Sequence, residues 1–170
     1  MHLMTEKIEL LKEKMKKLEQ SKVLLEVQES LNQLREIIIE ENNERVKIGM
    51  TEICIDCGKS GRVCCGSAIE FKYSDELLLI NLILGLNFPT QSQIPDMCFF
   101  LSPSGCCLIA RDAFCINFIC DKIKEKITVD KMKRLRELEG VHLNLQFQIE
   151  QRLKRFINAY DLTFFQNCNK

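Results

Sequence analysis

The stretch TVDKMKRLRELEGVHLNLQFQIEQRLKRFINAY, residues 128–160, decides the fold class. Met132, Leu135, Leu138, His142, Leu145, Ile149, Leu153, Phe156 and Tyr160 recur at intervals of three and four. That spacing sets side chains on one face of an α-helix. Val141, Leu143, Phe147 and Ile157 widen the stripe, which suits burial against more than one neighbour. Thr128 is placed to cap the start, with Asp130 in the first turn. The pattern predicts a helix of about 30 residues, spanning ~45 Å at the usual rise.

The opposite end of the chain has the same signature. Met4, Ile8, Leu11, Met15, Leu18 and Leu25 share a face, and Leu24, Val27, Leu31, Leu34 and Ile38 continue it slipped by one position. The slip falls at Gln20-Ser21-Lys22. It marks either a rotated stripe within one long helix or a break with Ser21 as a new N-cap. This helical pattern is expected to end near Glu41-Asn42-Asn43. The two arms can pair as an antiparallel hairpin or across a dimer, and packing as core helices is the simpler arrangement.

Between the arms the composition changes. Residues 1–50 carry 9 Lys/Arg and 10 Asp/Glu, residues 51–120 carry 4 and 7, and residues 121–170 carry 11 and 7. A chain of 170 residues with 46% apolar content can bury one core. The expected organisation is a single domain over 1–170. It comprises a helical arm (1–48), a cysteine-rich metal-binding core (49–120) and a second helical arm (121–170). The fold class is mainly α, with long N- and C-terminal helices packed around a loop-rich, metal-binding centre. Within that centre, Ile69-Glu70-Phe71-Lys72-Tyr73 alternates like a short strand. Ser74 caps a helix running from Leu77 to Leu84 and stopping at Gly85, and its all-round apolar character predicts burial. Residues 86–97 read as a loop. Ser102-Pro103-Ser104-Gly105 reads as a turn with proline at its second position. A further helix is expected from about Cys115 to about Ile127.

Formal net charge is zero and no basic run stands out, which argues against a nucleic-acid partner. The first residues lack the basic and apolar regions of a secretory signal. The longest apolar run, Leu77 to Leu86, includes Asn81 and Gly85 and falls short of the roughly 18 residues a membrane span needs. The expectation is a soluble cytoplasmic protein with no membrane partner.

Nine of the ten cysteines lie between Cys54 and Cys120. They fall as Cys54, Cys57, Cys64 and Cys65, then Cys98, Cys106, Cys107, Cys115 and Cys120, with no histidine among them. In a reducing compartment such crowding points to metal binding rather than disulfides. Cys54-x2-Cys57 is a spacing that lets two thiolates of one tight turn reach one metal centre. The adjacent pairs Cys64-Cys65 and Cys106-Cys107 aim in different directions, so they suit two sites or a larger cluster better than one tetrahedral zinc. Thiolate-only ligation selects an iron–sulfur cluster or zinc. Phe99, Phe100, Leu101, Leu108, Ile109, Phe114, Phe118 and Ile119 would supply a dry shell, or serve simply as core.

The stretch from Cys98 to Cys120 resembles the second motif of the CxxCxxCC (YkgJ-like) family of zinc- or iron-chelating proteins. Cys54, Cys57, Cys64 and Cys65 are similar to its first motif. The resemblance covers about residues 54–120. It implies that Cys54, Cys57, Cys64, Cys65, Cys98, Cys106, Cys115 and Cys120 are metal ligands. Gly105-Cys106 fits the family's Gly-Cys better than Cys107 does. Arg111 matches the family arginine, implying an anchor for the loop or a donor toward a thiolate beside the cofactor. This chain departs from the pattern in three ways: a longer gap between Cys57 and Cys64, Asp112 in place of proline, and a short spacing from Cys106 to Arg111. The last leaves Cys106, Cys107 or both open as ligands.

Other signals weigh less. Gly58-Lys59-Ser60 resembles the end of a phosphate-binding loop, but Ile53 stands where the first glycine belongs. Lys59 and Arg62 then read as solvated or as offsetting thiolate charge. His142, on the apolar stripe, reads as a satisfied core histidine, with a zinc ligand as the alternative. Cys168 reads as a free thiol, and two histidines give little basis for a cysteine–histidine hydrolase. The expected function is an iron–sulfur protein in electron transfer or redox chemistry. It would work with a protein redox partner or self-associate through its helical arms. The alternatives are a structural zinc module whose arms bind a protein, and a metal-dependent methyl-transfer or oxidoreductase enzyme.

Overall fold

The computed structural model describes residues 2–60 and 66–168, and the side chains of 3–60 and 66–160. Its described residues form seven α-helices and one two-stranded hairpin. The N-terminal arm is two helices, α1 (His2–Leu18) and α2 (Lys22–Lys47). The break falls where the stripe slips. Ser21 stands at the N-cap in extended conformation, yet its hydroxyl makes no cap bond. It donates instead to the Leu18 carbonyl at 2.7 Å, closing the end of α1. Met4, Ile8, Leu11 and Leu18 are buried as the stripe predicts, whereas Leu25 is 77% exposed because the break resets the phase.

The α2 helix does not stop at Asn43. It runs on to Lys47 with Ile48 as C-cap, and Gly49, at φ 80°, turns the chain into α3 (Met50–Lys59). A left-handed φ is open to glycine at little cost. The stripe Val27, Leu31, Leu34 and Ile38 continues through Glu41 and Arg45, both buried.

The expected strand at 69–73 is absent. Ile69–Lys72 forms a 3-10 turn after Ala68, which sits at φ 67°. No neighbouring strand pairs with it, and Phe71 is 57% exposed. The next helix, α4 (Asp75–Ile83), matches its reading. The Ser74 hydroxyl accepts from the Leu77 amide at 3.1 Å, and Gly85 follows at φ 93°. Leu77, Leu78, Leu79, Ile80 and Asn81 are all buried, each leucine or isoleucine contributing about 1.5–3 kcal/mol of transfer free energy. This helix packs against α1 and the C-terminal helix.

Strands β1 (Leu101–Ser102) and β2 (Gly105–Cys106) pair antiparallel across the Pro103-Ser104 turn, Leu101 facing Cys106. The single helix expected from Cys115 to Ile127 is instead two short ones, α5 (Ala113–Asn117) and α6 (Asp121–Lys126). Phe118 is extended between them and Cys120 becomes the N-cap of α6. Asp112 caps α5 by accepting from the Phe114 amide at 2.8 Å.

The last helix, α7 (Val129–Cys168), has 40 residues and begins just after Thr128. It lies antiparallel to α2: Arg152 donates to the Glu26 carbonyl at 2.7 Å, and Arg134 meets Glu40 at 3.4 Å. The arms therefore pair within one chain. Leu135, Leu138, Ile149, Leu153 and Ile157 are buried, but Val141 and Phe147 are 48% and 59% exposed, so the buried stripe is narrower than its sequence suggests. Among the described residues no helix is long and apolar enough to cross a membrane.

Candidate metal centre

The thiols are carried by short elements: α3 packs against α2, α6 and β2. Cys54 and Cys57 lie on α3, a helix rather than the expected tight turn. Their i, i+3 spacing still sets them on one side. Cys57 is buried, Cys54 exposed. Gly58 brings α3 against the hairpin: a Cβ there would sit 3.1 Å from the Pro103 carbonyl oxygen, so no side chain fits without movement. Cys120, at the start of α6, packs with Met50, Ile53 and Ile123 in a small second core. Lys122 Nζ donates to Cys57 Sγ at 3.2 Å.

A second set surrounds the hairpin. Cys106 is on β2 and Cys115 on α5. Tyr73 is buried and donates its hydroxyl to Cys115 Sγ at 3.4 Å, with its ring edge-on to Phe100 at 5.3 Å. Cys98 is buried in the main core, and Cys107 and Cys115 pack partly against that core. The pair Cys106-Cys107 thus points two ways, as neighbours on a strand do. Phe99, Phe100, Leu101 and Leu108 form the dry side, whereas Phe114 and Phe118 are 54% and 49% exposed. Cys64 and Cys65 lie outside the described residues, as does the side chain of Cys168.

Electrostatics link the two sets through one residue. Loss of water raises the Cys54 pKa; Arg45 opposes that rise, Cys120 and Cys57 add to it, and Arg111 opposes it. Cys106 is exposed over the residue as a whole, yet loss of water around its thiol raises its pKa as well. Arg111 works against that rise and Cys115 with it. Arg111 is therefore within electrostatic reach of thiols from both sets. Burial, then the neighbouring Cys106, pushes the Cys107 thiol from its ordinary 9.0 up to about 11.

The raised thiols have a consequence for the metal-free protein. A folded pKa above the unfolded one favours the neutral thiol in the fold. The resulting stability is complete below about pH 9 and is lost as pH rises through 11. Reduced, metal-free protein is expected to lose stability over that window by about 1–2 kcal/mol more than a Cys107→Ser variant, after discounting for solvent screening. Urea titrations at pH 8 and pH 11 measure this. Equal losses in the two proteins would remove Cys107 as the cause.

Arg111 is held by a buried ionic network that its sequence signal did not reveal. Its Nη2 donates to Glu41 Oε1 at 3.2 Å. Arg45 Nε donates to the same oxygen at 3.1 Å, and Arg45 also pairs with Glu139. The other Glu41 oxygen meets His142 Nδ1 at 2.6 Å, and His142 Nε2 meets Gln146 at 3.2 Å. Burial pushes the Glu41 carboxyl up, but His142, Arg45 and Arg111 outweigh it and hold the group below its usual range. Burial, with the nearby Arg111, lowers the Arg45 pKa, which Glu139 and Glu41 partly restore. His142 is thus the satisfied core histidine that its place on the stripe predicts, 1% exposed. Glu41 and Arg45 had a signal too: they continue the α2 stripe at three and seven beyond Ile38.

The loop bearing Arg111 has a second anchor. Asn81, buried in α4, donates to the carbonyls of Leu77 at 2.9 Å and Ala110 at 2.8 Å. Its oxygen accepts from the amides of Ile109 at 2.8 Å and Ala110 at 3.1 Å. A lone amide in an otherwise apolar helix was the signal for it.

Among the described residues no three His, Cys, Asp or Glu side chains stand together in an arrangement that could hold a metal ion. What the fold does supply is donor chemistry: Cys54 interacts with Cys57 and Cys120, Cys106 interacts with Cys115, and Arg111 is within electrostatic reach of Cys54 and Cys106. Comparison with known proteins adds no relative: no family model matches the chain, and no curated protein or solved structure is significantly similar to it.

Proposed function

We propose that this chain is a metal-binding protein whose central thiols hold an iron–sulfur cluster used in electron transfer. The observation that supports the reading is that Arg111, anchored on Glu41, is within electrostatic reach of Cys54 on α3 and Cys106 on β2, thiols that in turn interact with Cys57 and Cys120 and with Cys115. An all-thiolate donor set suits such a cluster. The order of the two cysteine motifs, which resembles that of the CxxCxxCC family, supports the same reading. Arg111, Arg45 and Lys122 would offset the charge of ligating thiolates, and because burial favours the neutral thiol at Cys54 and Cys106, ligation there would release protons and tighten with rising pH. Cys64 and Cys65, following α3 in sequence, would complete the donor set. A bound cluster would supply one-electron chemistry, and the reducing cytoplasm would keep its ligands available. A protein redox partner then follows as the counterpart.

The reading is tested by purification without oxygen, with iron, zinc and acid-labile sulfide measured beside the visible spectrum. Iron and sulfide in comparable amounts are expected, and loss of most of both in Cys54→Ser and Cys57→Ser, with Cys168→Ser unchanged. Zinc without sulfide in a colourless protein would replace this reading with a structural zinc site. Absence of any bound metal after reconstitution would overturn both.

A further inference from the structure

The molecule has a second site that the thiol chemistry does not use. A half-open groove of about 450 Å³ lies between α6 and the start of α7, within the size range of small-ligand sites. Its floor is Ile123, Ile127 and Met132, with Val129 at the mouth. Val129 is 86% exposed, the most exposed of the large apolar side chains.

The polar groups at this groove are mostly cationic: Lys124, Lys133 and Arg136 line it against one acid, Asp130. The bias extends along the sequence. Residues 121–136 carry seven Lys/Arg and three Asp/Glu in a chain whose net charge is zero. Arg136 adds the decisive detail. Its Nη1 pairs with Glu139 Oε2 at 2.7 Å, while its Nη2 is buried with no hydrogen-bond partner. Glu139 Oε2 is likewise buried without a hydrogen-bond partner, so Arg136 keeps a donor that an anionic oxygen would satisfy once the side chain turns toward the groove. The side chain as a whole is 33% exposed, so a modest turn can present that nitrogen to an incoming group.

From this juxtaposition we infer that the groove binds an aliphatic carboxylate, its chain on Ile123, Ile127 and Met132 and its carboxylate at Arg136. The inference is independent of whether the thiols hold a metal. It commits to a small amphiphilic acid because the groove has an apolar floor of small-ligand size and a surplus of positive charge among its lining residues.

The test uses the full chain with Met132 methyl NMR and calorimetry, titrated with octanoate, decanoate and octylamine. Saturable shifts at Met132 are expected with both acids and none with the amine. Decanoate is expected to bind about tenfold more tightly than octanoate, since two more methylenes leave water. Arg136→Gln is expected to weaken decanoate about tenfold, the worth of one charge-assisted hydrogen bond. Val129→Asp, at an exposed position where folding is undisturbed, is expected to weaken it by repulsion. Equal binding of acid and amine, no saturable shift, or an unchanged affinity in Arg136→Gln overturns the proposal. So does a Met132 signal that moves with protein concentration alone, which would make the groove an interface between two copies.

Discussion

Replacing Glu41 with leucine is expected to destabilise the protein by about 3–5 kcal/mol, the cost of leaving a buried charge without its partner. At ~2–4 °C per kcal/mol for a chain of this size, the melting temperature should fall by about 10 °C or more. The reasoning starts from the number of groups that share this carboxylate. Arg45 and Arg111 both donate to Oε1, and His142 meets Oε2. Glu41 is 1% exposed, so water cannot take over its role. Removing it leaves two guanidinium groups that already disfavour each other's charge. The double variant Glu41→Leu, Arg111→Met should therefore be more stable than additivity allows, because it relieves that repulsion. Thermal melts of the two single variants and the double variant measure the coupling. A Glu41→Leu protein that melts within 2 °C of the parent would show that the network contributes specificity without stability.

The same network shows why part of the structure is legible from composition and spacing and part is not. Helices with one buried face announce themselves: Met4 to Leu18, Val27 to Ile38 and Leu135 to Ile157 sit where their periodicity puts them. Local chemistry is equally readable where it is self-contained, as at Ser74, Gly85 and the Pro103-Ser104 turn. The misreadings come from tertiary choices. Ile69–Tyr73 alternates correctly for a strand, but among the described residues no strand pairs with it, and a 3-10 turn satisfies its backbone locally. Residues 113–127 break at Phe118, and Cys120 packs with Met50 and Ile53 of α3, 70 and 67 residues back in the chain. Glu41-Asn42-Asn43 reads as the end of the helical pattern because it is polar, yet phase alone places Glu41, and Arg45 beyond it, on the buried face. Ion pairs across α2 and α7 need the antiparallel pairing first, since Glu41 and His142 are 101 residues apart. For the thiols, residue type and crowding were legible. Their division into two sets about Arg111, with Cys98 turned into the core, was not, because it depends on how α3, the hairpin and α5 pack.

The second large effect concerns Asn81, where substitution to leucine should cost about 4 kcal/mol even though the new side chain is apolar and of similar size. Burial alone would favour the change, since Asn81 is fully buried in the most apolar helix of the chain. The hydrogen bonds decide otherwise. The amide occupies both its donors and uses its oxygen twice. The Leu77 carbonyl can fall back on its own helix. The amides of Ile109 and Ala110 and the carbonyl of Ala110 have no regular structure to turn to, because they lie in the loop between β2 and α5. Leaving a buried backbone group unsatisfied costs about 1–3 kcal/mol. Three of them outweigh the gain from one additional apolar side chain, which is at most about 2 kcal/mol. The loss should be local before it is global. In Asn81→Leu the Ile109 and Ala110 amides are expected to exchange with solvent at least tenfold faster than in the parent, while α2 and α7 amides slow to exchange remain so until the melting temperature is approached. Because the loop carries Arg111 and is flanked by Cys106, Cys107 and Cys115, its release would also loosen the proposed centre, and metal retention should fall in the same variant. Unchanged exchange at both amides would mean that the hairpin and Asp112 hold the loop without α4. The loop that carries Arg111 would then owe its placement to the hairpin, Asp112 and the Glu41 contact.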